Sequence, residues 1–222
     1  MFKLFFITSA IALSGATQAN AKDIPTPKTL HVALDLSGSN PIVESEAYAK
    51  KAGLYVRGQI LDLQAGDKVH MSMFGSLSIE NNVKSFKTQI TRRRPAKAVG
   101  NKAGQLIANI ASGDFEPQNA TNILFYFEFG NFNCESGDTI IAVTDGLEYS
   151  EEVSDPQALL ETGKGLPKPD ADYLKGCRVI FYGLGQTDTS SFPRSHVKNL
   201  KTAWLQYFKT AGADFTAIVQ VH

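Results

Sequence analysis

The sequence of 222 residues lacks an excess of charge of either sign, because 22 lysines and arginines balance 22 aspartates and glutamates. A protein that binds nucleic acid through its phosphates normally carries a basic excess, so the composition argues against a nucleic-acid partner. Hydrophobic residues make up 43% of the chain and charged residues 20%. These proportions are typical of a globular protein and exclude a collagen-like or disordered chain.

Metal-binding and catalytic motifs of the common kinds are also lacking. The chain has two cysteines and four scattered histidines, with no Cys-x-x-Cys pair, which argues against a structural zinc site. A Walker A phosphate loop and a Gly-x-Ser-x-Gly nucleophile motif are absent. The sequence therefore gives no sign of a nucleotide-binding loop or a serine hydrolase.

No apolar run is long enough to cross a membrane as a helix, which needs about 20 residues. The apolar run Leu4–Leu13 follows a lysine and precedes an Ala-Asn-Ala tripeptide that ends at Ala21. This layout predicts a secretory signal peptide over residues 1–21, cleaved near Ala21. We expect a periplasmic or secreted mature chain without a transmembrane segment, in which residues 22–28 are a linker and residues 29–222 form one domain.

Segments typical of strands and helices alternate along the rest of the chain. Apolar and β-branched runs predict strands at Thr29–Leu36, Lys68–Phe74, Val83–Ile90, Asp138–Val143, Arg178–Leu184 and Phe215–Val221. Helical spacing predicts helices over Glu44–Leu63, Ala96–Ile110, Asn122–Phe132 and Ser195–Ala211. Continuous apolar strands need cover on both faces of a sheet. We therefore predict a doubly wound α/β fold with a mostly parallel six-stranded sheet, one antiparallel edge strand and helices on both faces.

Two stretches do not fit this pattern completely. The segment Asp155–Gly176 holds three prolines, and we interpret it as an insertion at the rim of the sheet. Five aromatic residues fall within eight positions from Phe125 to Phe132. They cannot all face inward from one short helix, so we expect some of them to face a partner or the insertion.

Oxygen-bearing side chains stand in three predicted loops on one edge of the sheet. Asp35, Ser37 and Ser39 alternate directly after the first strand, Thr121 precedes a helix, and Asp145 follows an apolar strand. Ligands of open α/β folds bind at the carboxyl ends of the strands, where these loops lie. Carboxylate and hydroxyl groups are hard oxygen ligands that suit magnesium or calcium rather than zinc or copper.

The three pieces together resemble the von Willebrand factor A (vWA) domain and its metal-ion-dependent adhesion site. The matching residues are DLSGS at 35–39, the threonine of ATN at Thr121, and the aspartate of VTDG at Asp145. The resemblance covers about Thr29–Val221 and implies a Rossmann-like fold. It also implies a cation, Mg²⁺ or Mn²⁺ ahead of Ca²⁺, that contacts the hydroxyls of Ser37, Ser39 and Thr121. Asp35 and Asp145 would hold this ion directly or through water.

The same resemblance implies a function in binding rather than catalysis. An Asp or Glu of a protein partner would complete the metal shell, and the partner would be a cell-envelope, pilus or secretion component. Two alternatives stay open: a metal-dependent hydrolase that uses the same site, and a structural subunit of an envelope complex in which the site is vestigial. A hydrolase needs a general base, and the three loops contain no histidine, so only Asp or Glu could serve.

Three further expectations concern an aspartate of the site, the glutamates that follow it and the two cysteines. Asp35 is expected at the rim of the domain, where its removal does not unfold the chain. Glu148, Glu151 and Glu152 follow Asp145 and are interpreted either as charges that attract cations or as solvated loop charges. Cys134 and Cys177 precede two consecutive strands, which should be neighbours about 4.8 Å apart, so they are predicted to form a disulfide at the opposite edge.

Overall fold

The computed structural model describes residues 26–75, 85–113, 118–187 and 190–219. The predicted signal peptide, the first residues of the predicted linker and the start of the strand predicted from Val83 lie outside these ranges. Six strands pair in the described part of the chain: β1 (Thr29–Asp35), β2 (Lys68–Phe74), β3 (Phe86–Gln89), β4 (Thr139–Val143), β5 (Arg178–Tyr182) and β6 (Asp214–Ile218). They alternate with α-helices at Glu46–Leu61 (α1), Ala96–Ala108 (α2), Ile123–Phe129 (α3), Pro156–Thr162 (α4) and Arg194–Thr210 (α5).

The six strands form one sheet in the order β3-β2-β1-β4-β5-β6. All neighbouring pairs are parallel except β2 and β3, so the antiparallel strand lies at an edge. The predicted α/β, Rossmann-like fold class is therefore confirmed. The strand order reverses between β1 and β4, and such a switch point opens a crevice beyond the carboxyl ends of the two strands.

Two hydrophobic cores cover the two faces of the sheet, because successive side chains of a strand point to opposite faces. On one face Leu30, Val32 and Leu34 of β1 pack with the buried side chains of α1 and α2. On the other face Ala33 packs with α3, α4 and α5, whose core includes the fully buried Trp204. This arrangement fixes the carboxyl ends of β1 and β4 beside each other.

Helices α1 and α2 approach each other closely where two glycines meet. A Cβ atom on Gly53 would collide with the carbonyl oxygen of Gly104, so this contact requires glycine. The close approach holds α1 against α2, and both helices share one core with β1. The chain between β1 and α1 is therefore anchored at both of its ends.

The segment from Asp155 to Gly176, interpreted from sequence as an insertion, contains α4. The Asp155 side chain accepts a hydrogen bond from the Ala158 amide, which caps the helix, and Pro156 occupies its first turn. Leu159 and Leu160 are buried in the core on this side. The Asn199 side-chain amide of α5 donates to the carbonyl oxygen of Leu160, so the segment is tied to the last helix.

The predicted disulfide between Cys134 and Cys177 is formed, with 5.1 Å between the two Cα atoms. Cys177 directly precedes β5, and Cys134 lies shortly before β4, at the edge opposite the carboxyl ends of the parallel strands. Closing this loop contributes about 2–4 kcal/mol to stability. Disulfides persist in oxidising compartments, so the bond is typical of a protein of the cell envelope or exterior. Among the described helices, none has the length and apolar character needed to span a bilayer.

Candidate functional site

Three loops meet at the carboxyl edge of β1 and β4 and are hydrogen-bonded to one another. They are loop 1 (residues 36–40), loop 2 (residues 118–122) and loop 3 (residues 144–149). The Gly38 amide donates to the Gln118 carbonyl oxygen at 3.0 Å, and the Gln118 amide donates to Leu36 at 2.9 Å. Thr121 and Tyr149 exchange two backbone hydrogen bonds of 3.2 and 2.9 Å. Loop 2 therefore joins the other two loops, so that the three lie together at one edge of the sheet.

Loop 1 holds its hydroxyl groups beside each other. The Oγ atoms of Ser37 and Ser39 are 3.3 Å apart. Ser37 is buried while Ser39 is exposed, so the pair reaches from the interior to the surface. Thr121 of loop 2 is also buried. The edge of the site thus offers hydroxyl oxygens at several depths.

Asp35 lies in the interior, and the expectation that it lies at the rim of the domain rather than in the core is wrong. The residue is fully buried. Its Oδ1 atom accepts the Ser37 amide at 2.9 Å, and its Oδ2 atom accepts the Thr144 hydroxyl at 2.7 Å. Burial raises the pKa of Asp35 to about 6, although these hydrogen bonds act in the opposite direction.

Asp145 is fully buried as well, and its two carboxylate oxygens have different surroundings. Its Oδ1 atom accepts the Leu147 amide at 2.9 Å. Its Oδ2 atom has no partner of good hydrogen-bond geometry among the described residues, although the Ser39 hydroxyl is near enough to act on the carboxylate. Burial, and after it the charge of Asp35, raises the pKa of Asp145 to about 7, while the Leu147 amide and the Ser39 hydroxyl oppose this rise. The two carboxylates therefore repel each other when both are ionised.

Sequence reasoning missed Asn40 and Thr144, which hold the two aspartates in place. The Asn40 side-chain amide donates to the carbonyl oxygens of Asp35 and Val143, at 2.9 Å each, and so joins the ends of β1 and β4. The Thr144 hydroxyl donates to Asp35 and accepts the Gly146 amide at 3.0 Å. Both residues adjoin the motif in sequence, and that proximity was the signal available for them.

Glu148 is neither a solvated loop charge nor an exposed attractor of cations, unlike the exposed Glu151 and Glu152. It is fully buried, and its Oε2 atom accepts the amides of Ile123 and Leu124 at 2.8 and 3.1 Å. Its Oε1 atom has no partner of good hydrogen-bond geometry among the described residues, although the Ser150 hydroxyl is near enough to act on the carboxylate. Burial raises the pKa of Glu148 to about 7. The residue therefore ties loop 3 to the beginning of α3, next to Thr121.

The donor set suits a hard divalent cation more than any other metal. Within the described ranges, no three His, Cys, Asp or Glu side chains are grouped as metal ligands would be. A cation at this edge would depend on hydroxyl oxygens together with Asp35 and Asp145, and such oxygens suit Mg²⁺, Mn²⁺ or Ca²⁺. The Oδ2 atom of Asp145 and the further lone pairs of Asp35 can accept such contacts, so the residues fit the ion.

Solved structures include distant likenesses of this chain. No protein-family model matches the sequence, and no curated protein sequence matches it. An aerotolerance-related membrane protein from Bacteroides fragilis NCTC 9343 is similar with a TM-score of 0.45 and 15% identity, over 87% of this chain and 92% of that one. The pilus adhesin SpaC from Lactobacillus rhamnosus GG gives a TM-score of 0.44 and 14% identity, over 86% of this chain and 28% of the adhesin.

Proposed function

We propose that the chain is an exported, vWA-like module that binds a partner protein through a divalent cation, Mg²⁺ or Mn²⁺, and is not an enzyme. The observation that carries the proposal is the fully buried Asp145 carboxylate at the meeting point of three loops, whose Oδ2 atom has no well-formed hydrogen bond among the described residues. A buried carboxylate oxygen without a well-formed hydrogen bond is costly unless a cation or a proton neutralises it.

The charges at the site support a cation. Asp35 and Asp145 are buried together, and neither forms an ion pair with a described lysine or arginine. A divalent cation would neutralise both carboxylates and remove the repulsion that raises the pKa of Asp145. The hydroxyls of Ser37, Ser39 and Thr121 are neutral ligands that add no further charge. The neutralised ion could then attract a negative group from outside.

The position of the site supports a protein partner rather than a small substrate. Ser39 is exposed at the edge, and Tyr149, which pairs with Thr121, is 58% exposed. An acidic side chain of a partner can approach the ion from this side and complete its shell, while the rim contacts the partner's surface. A hydrolase would need a base near the ion, and the described loops offer only buried carboxylates for that task.

Retention of a partner from cell-envelope extract should depend on the cation and on Asp145. Wild-type chain as bait should retain a partner in Mg²⁺ and lose it in EDTA, whereas Asp145→Asn should not retain it in either condition. The matched control is Asp62→Asn, which makes the same change at an exposed position at the end of α1. A partner retained equally well in EDTA would contradict the proposal and favour a structural subunit with a vestigial site.

A further inference from the structure

The α3 side of β1, β2 and β3 is only partly covered by helix. α3 has seven residues and spans about 10 Å, whereas the seven residues of β1 span about 23 Å. In the described part of the chain, a cavity of about 720 Å³ remains between α3 and these strands. Small-molecule sites have volumes of about 300–1,000 Å³, so this cavity has the size of a ligand site.

The floor of the cavity is a row of polar side chains that crosses three strands. His31 of β1 is paired in register with His70 of β2, and His70 is paired with Lys87 of β3. Lys68 lies two residues before His70 and therefore on the same face of β2. All four side chains line the cavity. Polar residues alternate with buried ones along β2, as is typical of a strand with one uncovered face.

The positive charge of this floor is concentrated on the β2 and β3 side. Burial lowers the pKa of His31 to about 4 and also lowers that of His70, so both rings are neutral at neutral pH. Lys68 and Lys87 supply ammonium groups, and neither forms an ion pair with a described carboxylate. Positive charges without partners, beside neutral imidazole groups that can donate hydrogen bonds, favour an anion.

The carboxylates that line the cavity stand at its other end, towards β4. Asp138 accepts the Thr29 amide at 2.6 Å and the Glu135 amide at 3.0 Å, so each of its oxygens already has a donor. Glu135 is exposed. The opposite charges of the cavity are therefore separated. Its cationic side chains lie on β2 and β3, and its carboxylates lie near the start of β4.

The roof of the cavity is aromatic and comes from α3 and the residues after it. The rings of Phe125 and Phe129 stack at 4.4 Å, and Phe129 is 63% exposed. Phe132 meets the His31 ring edge-on at 5.0 Å. The Tyr126 hydroxyl is hydrogen-bonded to Ser72 at 2.9 Å and joins this roof to the floor. The aromatic residues that cannot face the core thus form an apolar wall opposite the lysines.

We propose that this cavity binds a small organic anion with an aromatic or aliphatic body. The anionic group would contact Lys68 and Lys87, and the apolar body would lie against Phe125 and Phe129. The proposed contacts lie away from the cation site, because His31 precedes Asp35 by four residues, about 13 Å along β1. The cavity reaches loop 2 only at Asn122, which is not among the residues proposed to hold the cation. The proposal therefore does not depend on the cation or on the partner protein.

The test compares two probes that differ in charge, naphthalene-2-sulfonate and its neutral sulfonamide, by calorimetric titration of the purified chain. The sulfonate should bind at one molecule per chain, and the sulfonamide should bind about tenfold more weakly. Lys87→Gln and Lys68→Gln should each weaken sulfonate binding about tenfold. Phe129→Ser should weaken the binding of both probes. Lys97→Gln, an exposed lysine of α2 on the opposite face, should change neither.

Three results would overturn the proposal. One is equal affinity for the two probes, since the lysines would then play no part in recognition. Another is unchanged sulfonate affinity in both Lys87→Gln and Lys68→Gln, with Lys97→Gln as the reference. The last is the lack of saturable sulfonate binding up to millimolar concentrations in chain whose melting curve shows that it is folded.

Discussion

Asp145→Asn should lower the affinity for Mg²⁺ by about a hundredfold or more and leave the fold intact. The asparagine keeps the size of the side chain and an oxygen that can accept the Leu147 amide, now at 2.9 Å from Oδ1. It replaces the Oδ2 atom by an amide nitrogen, which cannot be a cation ligand. Calorimetric titration of Mg²⁺ into wild-type and variant chain measures the difference.

The control for this prediction is again Asp62→Asn, which should bind Mg²⁺ as the wild type does. Asp35→Ala is a poorer probe, because it would leave the buried Ser37 amide and the Thr144 hydroxyl without their acceptor. An unpaired buried donor costs about 1–3 kcal/mol, so a loss of binding in that variant could reflect unfolding. Unchanged Mg²⁺ affinity in folded Asp145→Asn would show that Asp145 is no ligand.

Without divalent cations, the free energy of unfolding should fall as the pH rises from about 5 to about 8. The pKa values of Asp35, Asp145 and Glu148 are raised in the folded chain to about 6, 7 and 7, whereas unfolded carboxyls titrate near 4. The folded chain therefore binds more protons than the unfolded chain in this window. The contribution of the three carboxyls to the free energy of unfolding is complete below their pKa values in the unfolded chain. It is lost as the pH rises through their pKa values in the folded chain, by several kcal/mol in order of magnitude.

Saturating Mg²⁺ should restore the part of this stability that Asp35 and Asp145 account for at pH 8 and change little at pH 5, because the cation binds these ionised carboxylates and competes with protons. Urea unfolding curves at about pH 5, 6.5 and 8, with EDTA or with Mg²⁺, measure both effects. Asp62→Asn should follow the wild type at every pH. Stability in EDTA that is constant or rises over this range would contradict the predicted burial of ionised carboxylates at the site.

Hydrophobic periodicity predicted the sheet well, because strand pattern and burial agree in a sheet covered on both faces. β2 begins and ends at the predicted residues, Lys68 and Phe74. Helix α3 ends at Phe129 rather than Phe132, since Gly130 follows and Asn131 adopts a left-handed conformation with φ of 45°. Apolar residues continue past this break as far as Phe132, so the apolar pattern alone does not show where the helix ends.

The candidate site was predicted only as far as its sequence motif extends. The motif places Asp35, Ser37, Ser39, Thr121 and Asp145 on three loops, and the structure joins those loops by hydrogen bonds. The burial of Glu148 could not be predicted, because it depends on the first amides of α3 lying beside loop 3. A glutamate near a run of charged residues looks solvated in sequence. Its environment is set by contacts between distant segments.

The cavity beneath α3 is a second feature that the sequence pattern could not predict. Polar residues alternate with buried ones along β2, whereas continuous apolar runs such as those of β4 and β5 predicted cover on both faces. Both patterns agree with the structure. The central strands are covered on both faces, whereas the seven residues of α3 are too few to cover β2 and β3. The length of a covering helix follows from its end signals and not from the strands below it.

The most direct test of the central claim is the crystal structure of the chain grown with Mn²⁺, measured at the manganese absorption edge. We predict one anomalous peak per chain among the Oγ atoms of Ser37 and Ser39 and the Oδ2 atom of Asp145, and its loss in Asp145→Asn. A peak elsewhere, or no peak in crystals that contain millimolar Mn²⁺ at about pH 7.5, where Asp145 is ionised, would contradict the claim.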